Sequence, residues 1–200
     1  MISAVVLAAG ESRRMGKKKE LLPIKGTPMI RLVVDELLAS SKIDEVIVVL
    51  GAHADEVGLS LSGIIDERLE LVGNMRFSEG MGTSLAQGVS ACSWGTDGIL
   101  VALGDAPFFR VEDVNKLIDS HAHGAAIVVP VSAGRRGHPV LLDGSYREEL
   151  EDLGGDAGAR HILEHNADRI IEVAIDDDGF LVDVDEADDY EAVKNGIDEK

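Results

Sequence analysis

Apolar residues fall along this chain in two rhythms. Short, almost unbroken apolar runs from Ile2 to Leu7, Glu45 to Leu50 and Gly98 to Leu103 read as strands buried on both faces of a parallel sheet. Further strands are predicted from Leu69 to Val72, Ala125 to Pro130, Val140 to Leu142, Ile170 to Ile175 and Phe180 to Val184. Between the first runs the spacing turns helical. Met29, Ile30, Leu32, Val33, Val34, Leu37 and Leu38 line one face, with Pro28 in the first turn, where its missing N–H leaves no bond unmade. Helices are also predicted from His53 to Leu61, Thr83 to Cys92, Val111 to Ser120, Tyr146 to Leu150, Gly158 to His165 and Ala187 to Asn195.

Strands alternating with helices over short connections predict an α/β fold, a three-layer α/β/α sandwich with a mostly parallel, Rossmann-like mixed sheet. The later strands break the alternation, which predicts one antiparallel strand at an edge or near the end of the sheet. No repeat, low-complexity tract or linker divides the sequence, so residues 1–200 read as a single domain.

Composition changes this picture little. Apolar residues make up 45% of the 200, enough for a sizeable core. With four Phe, two Tyr and one Trp, that core must be mainly aliphatic. The lone Cys92 excludes an internal disulfide and a cysteine-cluster metal site. No run approaches the ~20 apolar residues of a membrane span. The apolar start lacks the basic flank of a secretion signal, so a cytoplasmic protein without membrane attachment is expected.

Charge is more telling. The formal net charge is −18, yet the N-terminal segment carries Arg13, Arg14, Lys17, Lys18, Lys19, Lys25 and Arg31 against Glu11 and Glu20. A basic island on an acidic chain suggests a local anion site. It argues against nucleic acid, which demands a broad basic face. Acidity elsewhere fits simple solubility or a saline cytoplasm.

Ligands of open α/β sheets bind beyond the carboxyl ends of the strands. Three unusual segments fall there: the loop from Gly10 to Lys19, the loop from Asn74 to Ser84, and Gly104-Asp105-Ala106-Pro107. In the first, Gly10 and Gly16 let backbone amides approach a phosphate, while Arg14 and Lys19 supply charge. The spacing is not that of a P-loop, which has four residues between its glycines, and the dinucleotide fingerprint is absent. A solvated basic turn is the plain alternative. Asp105, at a strand end, is the natural ligand for Mg²⁺, which takes oxygen donors and is commonly held by one or two carboxylates plus substrate phosphates. The alternative is that Asp105 merely caps the next helix. Asp183 and Asp185, on alternate positions of a predicted strand, are candidate second acids.

Together these segments resemble a known family. The stretch from Leu7-Ala-Ala-Gly-Glu-Ser-Arg-Arg-Met-Gly16 to Pro28 resembles the signature of nucleotidyltransferases with a dinucleotide-binding-like sheet, the nucleotide-diphospho-sugar transferase arrangement. Within them it is most similar to the MobA-like molybdenum cofactor cytidylyltransferases. Asn74 to Gly88, Gly104-Asp-Ala-Pro107, Arg136-Gly-His-Pro-Val140, Gly155-Asp-Ala-Gly-Ala-Arg160 and Asp183-Val-Asp-Glu-Ala-Asp-Asp189 resemble later family motifs, in order. One departure is Glu186-Ala187, where the family has Thr-Pro.

The resemblance implies transfer of CMP from CTP to the phosphate of the molybdenum–molybdopterin cofactor, with release of pyrophosphate. It places Leu7, Ala8, Ala9 and Gly10 against base and ribose, with Asn74, Gly80 and Ser84 nearby. Gly10, Arg14, Gly16 and Lys19 would hold the triphosphate, and Asp105 would bind Mg²⁺ with Asp183 or Asp185. Arg135, Arg136 and His138 would face the acceptor, supported by Asp156 and Arg160. Arg14, Lys19 and Asp105 are the expected catalytic set. A molybdoenzyme or insertion chaperone is an implied partner, and a monomer the expected state.

Three other readings compete. A guanylyltransferase using GTP, or an enzyme acting on another phosphorylated metabolite, would share the phosphate machinery. Ala9 leans away from guanylyl transfer, because those relatives usually have Gly there. His161-Ile-Leu-Glu-His165 fits an inverted zinc-protease pattern with both histidines on one helical face. A non-catalytic nucleotide-binding regulator would more naturally lack Lys19 or Asp105.

Overall fold

Side chains alternate between the two faces of a strand, and here that alternation sorts the core into two layers. The computed structural model describes residues 1–11, 18–176, 179–181 and 190. Its elements are β1 (Ile2–Ala8), β2 (Pro23–Ile24), β3 (Thr27–Pro28), α1 (Met29–Ala39), β4 (Glu45–Leu50), α2 (Ala54–Leu61), β5 (Leu69–Gly73), α3 (Met81–Ala91), β6 (Gly98–Leu103), α4 (Val111–Ala122), β7 (Ile127–Ser132), β8 (Arg135–Arg136), β9 (Val140–Asp143), α5 (Arg147–Glu151), α6 (Arg160–His165) and β10 (Ile170–Ala174).

The main sheet runs β10-β7-β9-β6-β1-β4-β5, with β8 paired to β7. β1 lies parallel between β4 and β6. Ala4, Val6, Val46, Val48, Leu100 and Ala102 face one layer, where they meet Val33 and Leu37 of α1, Val57 of α2 and Leu117 of α4. Val5, Ile47, Val49, Ile99 and Val101 face the other, against Leu85 and Val89 of α3, Leu150 of α5 and Ile162 of α6. Both faces are covered, which is why these strands read as continuous apolar runs. Cys92 belongs to the second layer. Burial, aided by the nearby Glu45 carboxylate, pushes its thiol up to about 11, so it packs and does not react at neutral pH.

α3 sits close to the sheet because Gly88 has no side chain. A Cβ there would overlap Val5 and lie 2.8 Å from Val49 Cγ2. Gly88→Val is therefore expected to destabilise the fold by about 2 kcal/mol or more, read as a lowered urea midpoint. A midpoint equal to wild type would contradict this packing.

Two strands run against the rest: the short β8, paired only to β7, and β9, which lies near the β10 end of the sheet but inside it. β9 lies between β6 and β7 and is antiparallel to both. The chain turns tightly after β7 through Ala133 (φ 49°) and Gly134 (φ 76°), and a short return of this kind permits only antiparallel pairing. Phe180 also departs from expectation. Gly179–Leu181 is a 3₁₀ turn, not a strand, with Phe180 buried against the first layer. Its carbonyl accepts a 3.4 Å bond from His138 N. The rest of that predicted strand, and the predicted final helix apart from Tyr190, lie outside the described residues. Pro28 pairs in the β2–β3 ribbon and precedes α1 instead of opening its first turn.

Candidate active site

The carboxyl ends of β1 and β6 are neighbours, with Leu7 opposite Leu103. Gly104 N donates to Leu7 O at 2.9 Å, and a Cβ on Gly104 would sit 3.1 Å from that same oxygen. Glycine therefore lets the β6 end turn close over β1 and bring Asp105 to the floor of a cleft of about 1180 Å³. The 3₁₀ turn Lys19–Leu21 brings Lys19 to the same place from the other side. Lys19 Nζ lies 3.7 Å from Asp105 Oδ2, with the lysine side chain 9% and the aspartate 25% exposed.

Asp105 does not cap the following helix. α4 begins after Arg110, its first amides met by Glu36 Oε2 at 2.8 Å from Val111 N and, at 3.4 Å, by Asp113 Oδ2 from Arg110 N. A partly exposed carboxylate over a cleft floor, beside a buried ammonium, is a hard oxygen donor of the kind Mg²⁺ takes. Asp183 and Asp185 lie outside the described residues, as do Arg14 and Gly16.

The other expected residues divide. Leu7, Ala9, Gly10, Gly80 and Ser84 line the cleft. Ala8 does not. Strand alternation turns it to the opposite layer, where it is buried with Ile30. Asn74 is placed behind the wall, not in the cleft. Its Nδ2 donates to Thr83 Oγ1 and Ser84 Oγ, each at 3.0 Å, and its Oδ1 accepts from Arg76 N at 2.9 Å. The amide thus latches the second loop onto the start of α3.

Two distant glycine segments meet above that latch. Gly80 has φ 118°, and a Cβ on it would overlap the Gly155 carbonyl and lie 2.7 Å from Asp156 N. Gly82 N donates to Gly155 O at 2.7 Å. This stitch holds Asp156 and Arg160 on the cleft wall. Of the paired arginines, Arg136 lines the cleft and Arg135 does not, because they alternate along β8. Arg136 Nε donates to Glu172 Oε1 at 2.8 Å, which orients the guanidinium.

His138 lines the cleft too, and its Nδ1 is sealed from solvent with no hydrogen-bond partner. Burial holds its pKa below the ordinary imidazole range, against the opposing effect of a hydrogen bond between the ring and the Val101 backbone. Glu11, Glu20, Phe77 and Met81 line the cleft without having been marked in the sequence. Glu20 is 6% exposed, and a Cβ on Gly10 would lie 3.3 Å from its Oε1. A helix-start acid carries no sequence signal for such a position.

The histidines of the zinc pattern lie on α6 with ring centroids 6.1 Å apart. His165 Nδ1 is 2.8 Å from His161 O and His161 Nε2 is 3.5 Å from Glu149. Among the described residues no three His, Cys, Asp or Glu side chains are arranged to hold a metal ion. No helix among them is long and apolar enough to cross a membrane.

Comparison with known proteins adds a further finding. A family model described as MobA-like NTP transferase domain matches residues 4–170. The nicotine blue oxidoreductase of Paenarthrobacter nicotinovorans is 35% identical over 170 residues, 81% of each chain. The purine catabolism protein PucB of Bacillus subtilis is 32% identical over 203 residues, 96% of each. The crystal structure of Rv0371c from Mycobacterium tuberculosis superposes with a TM-score of 0.84 at 29% identity, covering 97% of both chains. A structure of Rv0371c in complex with manganese gives a TM-score of 0.78 at 26% identity, again over 97% of both.

Proposed function

This chain belongs to the MobA-like NTP transferase family, a family of nucleotidyltransferases, and from that premise we propose that it transfers CMP from CTP to the terminal phosphate of molybdenum–molybdopterin. The observation that carries the reading is the convergence of Lys19 and Asp105 at the cleft floor, with Arg136 and Arg160 on the wall of the same cleft. Cations from separate segments on one cleft suit a triphosphate together with a second anionic substrate.

In the proposed reaction an oxygen of the acceptor phosphate attacks the α-phosphorus of CTP. The bond from the α-phosphorus to the bridging oxygen breaks, and pyrophosphate leaves with that electron pair. A phosphate oxygen is already ionised at neutral pH, so no strong base is required. The protein positions the partners and neutralises charge. Lys19 faces the leaving group, with Arg14 as the second cation of the loop. Asp105 would hold Mg²⁺, together with Asp183 or Asp185, and the bound ion would supply Lewis-acid polarisation of the phosphates. Leu7 and Ala9 give the nucleoside an apolar seat. Ala9, where guanylyl-transferring relatives usually have Gly, favours CTP over GTP. A monomeric cytoplasmic enzyme handing its product to a molybdoenzyme or insertion chaperone completes the proposal.

The test is pyrophosphate release with CTP, GTP, ATP and UTP in Mg²⁺, with and without molybdopterin. Release that needs both CTP and molybdopterin is expected. Release with GTP instead would move the assignment to guanylyl transfer. One relative is named an oxidoreductase, so a reductant-consumption arm belongs in the assay. Reductant consumption without pyrophosphate release from any nucleotide would overturn the proposal.

A further inference from the structure

Glu20 is a buried carboxylate that the proposed reaction does not use. It lines the cleft, yet only 6% of the residue is exposed. Its place is fixed by its neighbours on the 3₁₀ turn. Lys18 Nζ donates to Glu56 Oε1 on α2, Lys19 reaches Asp105, and Leu21 packs against the first core layer. Leu21 N donates to Lys18 O at 3.1 Å and Leu22 N to Lys19 O at 2.9 Å. Glu20 is thereby turned toward the end of β1, where a Cβ on Gly10 would lie 3.3 Å from its Oε1. The chain leaving β1 is held up to that point by other groups. Gly104 N donates to Leu7 O at 2.9 Å and Ala52 N to Ala9 O at 3.4 Å. Gly51 leaves room for the second bond, since a Cβ there would lie 2.5 Å from Ala9 O. Gly10 comes next, and Glu20 stands against it.

A carboxylate taken from water is costly unless donors meet it, and in a cleft for a triphosphate it also repels the substrate. An aliphatic side chain would fill the same space with neither drawback. What the carboxylate adds is two strong acceptor oxygens beside a glycine turn, where the chain leaves the sheet ladder and its N–H groups need partners. We infer that Glu20 is a positioning residue: its carboxylate accepts hydrogen bonds from the turn beginning at Gly10 and so sets the course on which the segment from Gly10 to Lys19 meets the triphosphate. It acts through that segment and not on the substrate. The inference rests on the nucleotidyl-transfer reading in taking this segment as the triphosphate seat. The sign of the effect separates support from simple electrostatics. Removing a negative charge from an anion site tightens binding, whereas removing the support of the site loosens it.

Calorimetric binding of CTP and of inorganic triphosphate, each in Mg²⁺, to the wild type and two variants tests this. Glu20→Leu keeps the bulk and removes both oxygens. It is expected to weaken binding of CTP about 10-fold or more and of inorganic triphosphate by a similar factor, leaving KM for molybdopterin within about 2-fold of wild type. Its thermal midpoint is expected to stay within about 3 °C of wild type, because an apolar side chain of similar volume replaces a buried charge. Glu20→Gln keeps one acceptor oxygen and loses the charge, and is expected to bind CTP within about 3-fold of wild type. A Glu20→Leu protein that binds CTP as tightly as wild type, or more tightly, would overturn the inference while leaving nucleotidyl transfer intact. So would a Glu20→Gln protein that binds as weakly as Glu20→Leu, or a loss confined to CTP with inorganic triphosphate unaffected. Absence of CTP binding by the wild-type protein would overturn both.

Discussion

Asp105→Ala is expected to lower turnover by at least about 1000-fold while leaving the fold intact. The carboxylate sits at the end of β6 on the cleft floor, and its side chain is 25% exposed. It takes no part in starting α4, whose first amides have other partners. Its loss would therefore remove the proposed metal ligand without opening a cavity. Lewis-acid stabilisation is worth several kcal/mol, and each 1.4 kcal/mol is about tenfold in rate. Two measurements belong together: steady-state pyrophosphate release in saturating Mg²⁺, and the thermal midpoint. Near-normal turnover in Mg²⁺ would remove Asp105 from the metal site. Lost turnover with a collapsed midpoint would make it structural instead.

Lys19→Met is expected to reduce kcat/KM by at least about 100-fold, the scale of losing one donor that acts on transition-state charge. Methionine is chosen because Lys19 is only 7% exposed, so its stem is packed and alanine would leave a void. Charge and packing are thereby separated. The methionine variant gives up an ion pair at 3.7 Å, but it also spares the burial of an ammonium, so stability is expected to stay within about 1 kcal/mol of wild type. A rate within about 3-fold of wild type would show that Lys19 only balances Asp105. The double variant with Asp105→Ala sharpens the point. Two groups acting on one phosphate chain are expected to be strongly non-additive.

Several features of the site were legible because they depend on order along the chain. Lys19 and Asp105 were each marked by a strand ending in glycine. That the core has two layers was written in the continuous apolar runs of β1, β4 and β6, which need cover on both faces. Other features depend on what packs against what. Asn74 has the same side chain whether it contacts a base or latches a loop. Only its bonds to Thr83, Ser84 and Arg76 show the latch. Glu20 reads as an ordinary acid at a helix start until the fold buries it beside Gly10. β9 could be seen as a strand, but its place between β6 and β7 is set only by its pairing with both in the folded sheet.

By itself, the sequence determined the α/β architecture, the strand-end position of the segment from Gly10 to Lys19 and of Asp105, and the motif order that marks the family. These are local properties: a hydrophobic period, a turn residue, a charge at a given offset. Tertiary structure alone decided which face each of these side chains uses, that Gly80 and Gly82 close on the segment around Gly155, and that His138 is sealed on one edge. The physical reason is that burial and hydrogen-bond satisfaction are set by partners distant along the chain. Residues 80 and 155 become neighbours only after α3, β6 and β9 have stacked the two glycine segments over one cleft.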